Sequence, residues 1–264
     1  MIALEEFTKF FNPGSINQVL ALDHIDLEIQ QGDFTTVIGS NGAGKSTLLN
    51  ALAGSFFPDS GQIRLDGRII TMVPEHRRAE YIGRVFQDPL LGTCAALSIE
   101  QNLALAAARG SRRGLRKGVT RRLRARFRDE LQKIGLGLED RLADRVGLLS
   151  GGQRQALTML MATMVRPRLL LLDEHTAALD PKTAHQIIDL TRHLVDEKQL
   201  TTLMVTHNMN QALALGNRLL MIHRGRIILD AGGPEKSALS VQDLLARFYE
   251  VQGEEFSSDR MLLA

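Results

Sequence analysis

The sequence predicts an α/β fold with a mostly parallel sheet, an antiparallel β part and an inserted α-helical subdomain. Short uncharged runs at Leu169 to Leu172 and Thr201 to Val205 are separated by a helical pattern from Lys182 to Glu197. Such runs are typical of parallel strands that helices cover on both faces. Between Gln87 and Leu149 the strand patterns disappear and helical spacing replaces them.

The first half of the chain predicts two strands and then a helix. Leu22 to Ile29 alternates apolar and polar residues like a half-exposed strand, and Phe34 to Ile38 is an uncharged β-rich run. A glycine-containing loop follows, and Ser46 to Ala53 has a helical pattern. Near the end of the core, Leu219 to His223 and Arg226 to Leu229 are joined by an Arg-Gly turn and predict an antiparallel hairpin.

These patterns divide the chain into three predicted parts. Residues 1–88 and 146–235 are expected to form the α/β core, and residues 89–145 the inserted helical subdomain, which includes helical spacing at Ile99 to Arg109 and Arg121 to Ile134. Residues 236–264 are expected to form a C-terminal helical tail, because Leu239 to Tyr249 is amphipathic.

Composition limits the class of protein. The 264 residues, 44% of them hydrophobic, suffice for one core with a subdomain in it. The net charge of +2 gives no general reason to expect a nucleic-acid partner. The single cysteine, Cys94, excludes an internal disulfide and is expected to be a small buried residue in a reducing compartment. No apolar run reaches the ~18 residues of a membrane-spanning helix, so we expect a cytoplasmic chain that reaches a membrane only through a partner.

One stretch of the predicted helical subdomain is strongly basic. Positions 109 to 128 contain no acidic residue. A solvated helix face is the default interpretation, and contact with anionic lipid headgroups or a membrane partner is the functional alternative. Nucleic acid is third, because Phe127 is the only aromatic residue there. The basic residues are Arg109, Arg112, Arg113, Arg116, Lys117, Arg121, Arg122, Arg124, Arg126 and Arg128.

A glycine-rich loop predicts a phosphate-binding site and thus a P-loop NTPase core. Residues 39–47, here called the phosphate-binding loop, fit G-x-x-x-x-G-K-[ST] between a predicted strand and a predicted helix. Backbone N–H groups and the helix N-terminus would hold phosphate oxygens, Lys45 would reach the β- and γ-phosphates, and Ser46 would ligate magnesium. The predicted binding residues are Gly39, Ser40, Asn41, Gly42, Ala43, Gly44, Lys45, Ser46 and Thr47.

Two carboxylates follow the predicted buried strand at Leu169 to Leu172. Asp173 and Glu174 would lie at the sheet edge where α/β proteins bind their ligands. Asp173 would hold magnesium through water, while Glu174 would polarise an attacking water as general base. Alone, an apolar run before two acids is often only a strand that reaches solvent. The phosphate-binding loop favours the catalytic interpretation.

Residues 149–153, Leu-Ser-Gly-Gly-Gln, resemble the signature segment of the ABC transporter ATPases. Three further matches occur in the family's order: Gln87 resembles the Q-loop residue, Asp180 that of the D-loop, and His207 the switch histidine. The resemblance runs from about Leu4 to Gly233. It implies a RecA-like P-loop NTPase core with an inserted helical subdomain.

The resemblance also implies the reaction and the site. Two ATP molecules, with Mg²⁺, would be sandwiched in a head-to-tail dimer, each between the phosphate-binding loop of one copy and the signature segment of the other. The signature residues that bind ATP in trans would be Ser150, Gly151, Gly152 and Gln153, with Asp180 in the D-loop. The catalytic residues would be Glu174, His207, Gln87 and Lys45, and the magnesium ligands Ser46, Gln87 and Asp173.

Two positions are less closely matched to the family. An aromatic residue is expected to stack on adenine, and Phe11 is preferred for this role, with Phe10 as the alternative and one of the two expected in the core. His175 follows Glu174 where Pro or Ala is common, and could add a polar contact near the dimer interface.

The resemblance implies an ATPase subunit that energises a transporter, with import as the expected direction. Its partners would be a second copy of itself, transmembrane permease subunits and an extracytoplasmic substrate-binding protein, with no nucleic acid. It would lie peripherally on the cytoplasmic face of the inner membrane. The alternative is a soluble ABC ATPase acting on nucleic acid or the ribosome, but such members carry paired cassettes or long coiled coils. The segments near Leu97 and Asn208 look like cassettes of branched-chain-amino-acid-type permeases.

Overall fold

Two β-sheets and a set of helices form the molecule, as given by a computed structural model that describes residues 1–111, 114 and 117–262. The strands are β1 (Ile2–Phe11), β2 (Val19–Ile29), β3 (Phe34–Gly39), β4 (Ser60–Leu65), β5 (Arg68–Ile69), β6 (Ile82–Val85), β7 (Leu169–Asp173), β8 (Thr202–Val205), β9 (Arg218–His223) and β10 (Arg226–Gly232). The helices are α1 (Lys45–Ala53), α2 (Glu75–Arg78), α3 (Ile99–Ala107), α4 (Arg121–Ile134), α5 (Gly151–Met164), α6 (Pro181–Lys198), α7 (Met209–Ala214), α8 (Gly233–Ala238) and α9 (Val241–Leu262).

The larger sheet is parallel except at one edge. Its order is β10-β9-β3-β8-β7-β6, and only the β9–β10 pair is antiparallel. The smaller sheet is antiparallel, with the order β2-β1-β4-β5. The predicted combination of a mostly parallel sheet with an antiparallel part is therefore confirmed.

Apolar clusters cover both faces of the larger sheet. One cluster joins the two sheets through α1, and includes Leu48, Leu171 and Ile222. A second cluster packs α5 and α6 against the opposite face, where Leu170 and Leu172 are fully buried. Alternate residues of β7 thus enter opposite clusters, which explains why this strand is apolar at every position and not at every second one.

A separate helical cluster lies between β6 and β7 in the sequence. Ile99 and Leu103 of α3 pack with Phe127 and Leu131 of α4 and with the second half of α5. The predicted helices of this region are confirmed. The predicted domain boundaries at residues 89–145 and 236–264 stay predictions. Of the basic stretch, Arg112, Arg113 and Arg116 lie outside the described residues.

The expectation for Cys94 is wrong, because this residue is exposed. Its backbone, and not its thiol, is held: its N–H donates to Asn102 Oδ1 at 2.8 Å, and its carbonyl accepts from Asn102 Nδ2 at 3.1 Å. Asn102 is buried on α3 and anchors the loop before that helix. Among the described residues, no helix combines the length and apolarity that a membrane crossing requires.

Candidate active site

The phosphate-binding loop curls between β3 and α1 and requires glycine at two positions. A Cβ on Gly39 would lie 2.1 Å from the Ile222 carbonyl oxygen, and one on Gly44 would lie 2.6 Å from that of Ala21. Gly44 also has a φ of 105° and caps α1 without any side-chain hydrogen bond. The first N–H groups of α1 therefore have no side-chain cap, an arrangement suited to an anion.

Lys45 is folded back onto its own loop. Its ammonium donates to the carbonyl oxygens of Gly39 at 2.9 Å and Ser40 at 2.8 Å, and the residue is 5% exposed. Burial lowers the pKa of Lys45, while the negative charges of Glu174 and Asp173 act in the opposite direction. This cation is therefore held between loop carbonyls and facing carboxylates.

Two oxygens meet where β7 ends. The Ser46 hydroxyl donates to Asp173 Oδ1 at 3.3 Å, joining the start of α1 to the end of the strand. A hydroxyl and a carboxylate are oxygen ligands of the kind that Mg²⁺ prefers, and Mg²⁺ is commonly held by one or two protein oxygens together with substrate phosphates. The described residues contain no group of three or more His, Cys, Asp and Glu side chains that could hold a metal alone. The pair therefore fits a magnesium that is shared with phosphates.

Glu174 and His207 form a close contact beside this pair. His207 Nε2 lies 2.5 Å from Glu174 Oε1, with Glu174 mostly buried and His207 half exposed. Glu174 has a φ of 45°, and its N–H donates to the Val205 carbonyl at 3.1 Å, which places it against β8. The end of β8 and the turn after it thus bring a histidine to a carboxylate, a contact that the sequence did not predict.

Gln87 lies two residues beyond the end of β6, at the same edge of the sheet. Val85 of β6 pairs with Leu172 of β7, so Gln87 and Glu174 both lie two residues beyond paired positions. Gln87 is exposed. The Phe86 carbonyl accepts from the buried Gln155 Nε2 of α5 at 3.4 Å, which fixes the start of the loop that carries Gln87.

The signature segment forms the start of α5. The Ser150 hydroxyl accepts from the Gln153 N–H at 3.2 Å, and the Gln153 side chain accepts from the Ser150 N–H at 3.2 Å, which forms a capping box. A Cβ on Gly152 would lie 2.1 Å from Thr183 Cγ2 of α6. Asp180 caps α6 by accepting from the Thr183 N–H at 3.1 Å. The signature segment and the D-loop aspartate therefore sit together at the N-termini of two packed helices.

The aromatic candidates lie at the end of β1. Phe11 is 38% exposed, and its ring meets that of Phe56 edge-on at 5.4 Å between centroids. The Lys9 ammonium lies 5.8 Å from the Phe11 ring centroid. Phe10 is half-buried, while the fully buried aromatic residue of this strand is Phe7. The expectation that Phe10 or Phe11 enters the core is therefore wrong, and Phe11 presents the more exposed ring.

His175 has a different place from the one expected. It is 1% exposed, and its Nε2 lies 3.0 Å from the Thr191 hydroxyl of α6. Burial lowers the pKa of His175 to about 4, so the imidazole is neutral near pH 7. The polar contact of His175 is therefore with α6 of its own chain, and the buried side chain does not reach the surface.

The structure adds a cation that the motifs did not indicate. Arg84 of β6 donates from Nη2 to Asn50 Oδ1 at 2.6 Å, and Nη2 lies 3.5 Å from Asp173 Oδ2. The available signal was a lone arginine among the apolar residues shortly before Gln87. It could not be assigned without the pairing of β6 with β7.

Known proteins resemble this chain over most of its length. The family described as "ABC transporter" matches residues 22–177. The tyrosine transport ATP-binding protein of Clostridioides difficile is 44% identical over 94% of this chain and 98% of that protein. The sulfate/thiosulfate import ATP-binding protein CysA of Mycobacterium bovis is 38% identical over 79% of this chain and 56% of that protein.

A solved structure has the same fold. The ATP-binding cassette MJ0796, in a dimeric post-hydrolysis state bound to ADP and Pi, has a TM-score of 0.74 and 29% identity, over 88% of this chain and 98% of that one. The predicted P-loop NTPase core is thereby confirmed, as are ATP binding and ATPase activity. The family match covers more than half of the chain and the first relative almost all of it, so this chain belongs to the ABC transporter family, as an ATP-binding, ATP-hydrolysing subunit.

Proposed function

We propose that this chain energises solute import through a separate transmembrane permease, by hydrolysing ATP between two copies of itself. The observation that carries the proposal is the convergence at one sheet edge: Lys45 in its loop, the Ser46–Asp173 contact and the Glu174–His207 contact. Together they supply a phosphate-binding cation, a metal-binding pair and a base.

The phosphate-binding loop, from Gly39 to Thr47, would hold the phosphates of ATP. The uncapped N-terminus of α1 offers N–H donors, and Lys45 would exchange a carbonyl partner for a phosphate oxygen. Phe11 would stack on adenine, since its ring is exposed at the end of β1. Neighbouring backbone atoms exclude a Cβ at Gly39 and Gly44, which keeps the loop in this curled form.

Ser46 and Asp173 would hold Mg²⁺, with Gln87 as a further ligand. When bound, the metal would offset negative charge that develops on the phosphates. Glu174 would accept a proton from the attacking water, and its carboxylate is oriented by His207 and by its backbone bond to Val205. His207 would hydrogen-bond the γ-phosphate once ATP is present.

The second half of the site would come from another copy. Ser150, Gly151 and Gly152 begin a helix whose N-terminus offers donors to an anion, and Gln153 supports Ser150 through the capping box. Asp180 lies beside them at the start of α6. A head-to-tail dimer would bring this segment to the γ-phosphate held by Lys45 of its partner.

The remaining partners follow from the same proposal. The chain would lie on the cytoplasmic face of the membrane, against permease subunits that an extracytoplasmic binding protein supplies with solute. An amino acid is the proposed cargo, because the relative named for tyrosine transport matches almost end to end. Uptake of labelled tyrosine by cells that carry the intact chain or its Lys45→Ala variant tests this; equal uptake by both would contradict it.

The ATPase site is tested by Lys45→Ala. This change removes the only side-chain cation of the phosphate-binding loop, so we expect ATP affinity and turnover to fall by about tenfold or more. The fold should survive, because in the described part of the chain the hydrogen bonds of Lys45 go to carbonyls of its own loop. The measurements are nucleotide affinity and phosphate release. The control variant is Lys133→Ala, because Lys133 is an exposed lysine of α4. Unchanged values for Lys45→Ala would refute the assignment of the loop.

A further inference from the structure

Arg84 is a charged residue in an otherwise buried strand. Ile82, Gly83 and Val85 of β6 are buried, and the Arg84 side chain is 13% exposed. Its shortest bond, at 2.6 Å, goes to Asn50 Oδ1 of α1. Desolvating a guanidinium is costly, so an arginine at such a place is retained only where its partners compensate.

The two oxygens of Asp173 are divided between two partners. Oδ1 accepts from the Ser46 hydroxyl at 3.3 Å, and Oδ2 lies 3.5 Å from Arg84 Nη2. Ser46 and Asn50 are one turn apart on α1, so they lie on the same face of that helix. One oxygen of the carboxylate thus contacts α1 directly, through Ser46. The other contacts Arg84, which in turn is bonded to Asn50 of the same helix.

The same guanidinium is tied to the loop that carries Gln87. Its central carbon lies 4.5 Å from the centroid of the Phe86 ring. Phe86 is the neighbour of Gln87, and its carbonyl is held by Gln155. Arg84 therefore contacts both the residue before Gln87 and the proposed magnesium aspartate.

We infer that Arg84 is a positioning residue for magnesium, holding the Asp173 carboxylate with Oδ1 toward Ser46. The inference rests on the proposed function, in which Asp173 is a magnesium ligand. Arg84 also has an opposing effect, because its positive charge repels Mg²⁺ and would weaken metal binding. Glu75 Oε1, 3.9 Å from Arg84 Nη1, offsets part of that charge, while the contact of Arg84 Nη2 with Asp173 Oδ2 orients the carboxylate directly. Positioning therefore dominates.

The test measures binding and not turnover. The affinity for a non-hydrolysable ATP analogue is determined with Mg²⁺ and with EDTA, and the ratio of the two gives the gain from magnesium. We expect Arg84→Met to lower this gain by about tenfold, as is typical when a residue that orients a metal ligand is removed. Affinity in EDTA should change less than about twofold, because Arg84 does not touch the phosphate-binding loop's own donors.

Three further variants separate the explanations. Asn50→Ala keeps the charge but removes the 2.6 Å bond, so it should lower the magnesium gain in the same direction as Arg84→Met. Arg84→Lys should restore the gain only in part, because an ammonium lacks the planar fork. Arg68→Met, at an exposed arginine of β5, should leave the gain unchanged.

Each outcome decides the inference. An unchanged gain in Arg84→Met overturns it, and so does an increased gain, which would mean that charge repulsion dominates. An equal loss of affinity with Mg²⁺ and with EDTA would mean a purely structural role and also overturns it. If the unmodified chain binds the analogue but gains nothing from magnesium, the proposed metal role of Asp173 fails instead, and the inference with it.

Discussion

Arg78 is a fully buried cation that closes the C-terminal end of α1. Its guanidinium donates to the carbonyls of Ala51 at 2.8 Å, Leu52 at 2.9 Å and Thr71 at 2.8 Å, and its Nε donates to Val73 O at 2.7 Å. Carbonyls at a helix end have no partners within the helix, so this arginine acts as a buried cap. The helix it caps is the one that begins with Lys45.

Arg78→Met should therefore destabilise the chain by about 3 kcal/mol or more, since several buried carbonyls lose their donors at once. Arg77→Met is the matched control, because Arg77 is exposed on the same short helix α2, and we expect less than about 0.5 kcal/mol from it. Urea unfolding of the two variants measures the difference. Equal midpoints would show that the cap contributes nothing.

His175 should make stability depend on pH. Its folded pKa, about 4, lies below the ordinary histidine pKa of 6.5. Between these values the unfolded chain binds a proton that the folded chain does not, so the free energy of unfolding falls as pH falls through this window. The expected loss from this residue between pH 7 and pH 5 is about 2 kcal/mol. His175→Gln should show a smaller loss over that range, and His185→Gln, at an exposed histidine of α6, should behave like the unmodified chain.

At the scale of elements, the sequence predicted the strands that have continuous apolar runs and missed β1, whose pattern is irregular. Phe34–Gly39 and Leu169–Asp173 have continuous apolar runs. β1 has buried residues at Ile2, Leu4 and Phe7, because an irregular register near Glu6, with a φ of 47°, shifts the alternation by one residue. A bulge of this kind removes the period of two that identifies a strand.

The site was predictable where it is local and not where it depends on strand pairing. The phosphate-binding loop and the acids after β7 are recognisable because backbone chemistry imposes their residue types and order. Arg84 reaches Asp173 only because β6 pairs with β7, whose paired residues come 87 positions later in the sequence. Cys94 and His175 were misjudged because burial in loops follows from tertiary packing, which composition does not specify.

Some arginines of the basic stretch, residues 109–128, form hydrogen bonds and ion pairs within the chain. Arg124 Nε donates to Glu100 Oε2 at 2.6 Å, and Arg126 Nη2 donates to the Met164 carbonyl at 3.5 Å. Arg109 donates to the Val165 carbonyl, and burial lowers its pKa. These contacts join α3 and α4 to neighbouring helices, which favours the interpretation of a solvated face with internal ion pairs.

We therefore expect Arg121→Gln with Arg122→Gln, at two exposed positions that begin α4, to leave membrane association unchanged. The measurement is co-sedimentation of the double variant with membranes that contain the permease. The control is the same assay on permease-free vesicles with and without anionic lipid. Weaker binding of the double variant to permease membranes would instead support partner contact, and weaker binding to anionic vesicles would support lipid contact.

At the scale of the whole molecule, the proposed phosphate and metal residues and the signature segment lie on different elements of one chain. The phosphate-binding loop, Asp173 and Glu174 lie at the edge of the larger sheet, whereas the signature segment lies at the start of α5 and packs on α6. The apolar clusters are likewise divided, since the sheet clusters do not include the α3–α4 residues. In the proposed dimer, a second copy would supply the signature segment to the nucleotide that the first copy holds.

Glu174→Gln tests this arrangement. An amide keeps the shape of the side chain but loses the basicity that polarises water, so the variant should bind ATP and magnesium and hydrolyse ATP at least about a hundredfold more slowly. ATP would then persist between Lys45 of one copy and Ser150 of the other, and the dimer would persist with it. In the unmodified chain hydrolysis would remove this bridge and the dimer would reopen, which would couple the chemical step to a change of conformation.

Light scattering with ATP, with ADP and without nucleotide gives the size of the variant. We expect a dimer only with ATP. Ser150→Ala in the Glu174→Gln background should weaken this dimer while leaving ATP binding to the single copy intact, because the proposal places Ser150 on the nucleotide held by the partner copy. If Glu174→Gln hydrolyses ATP at the normal rate, Glu174 is not the base. If it binds ATP, is inactive and yet stays monomeric at high concentration, the role in trans proposed for Ser150, Gly151 and Gly152 is wrong.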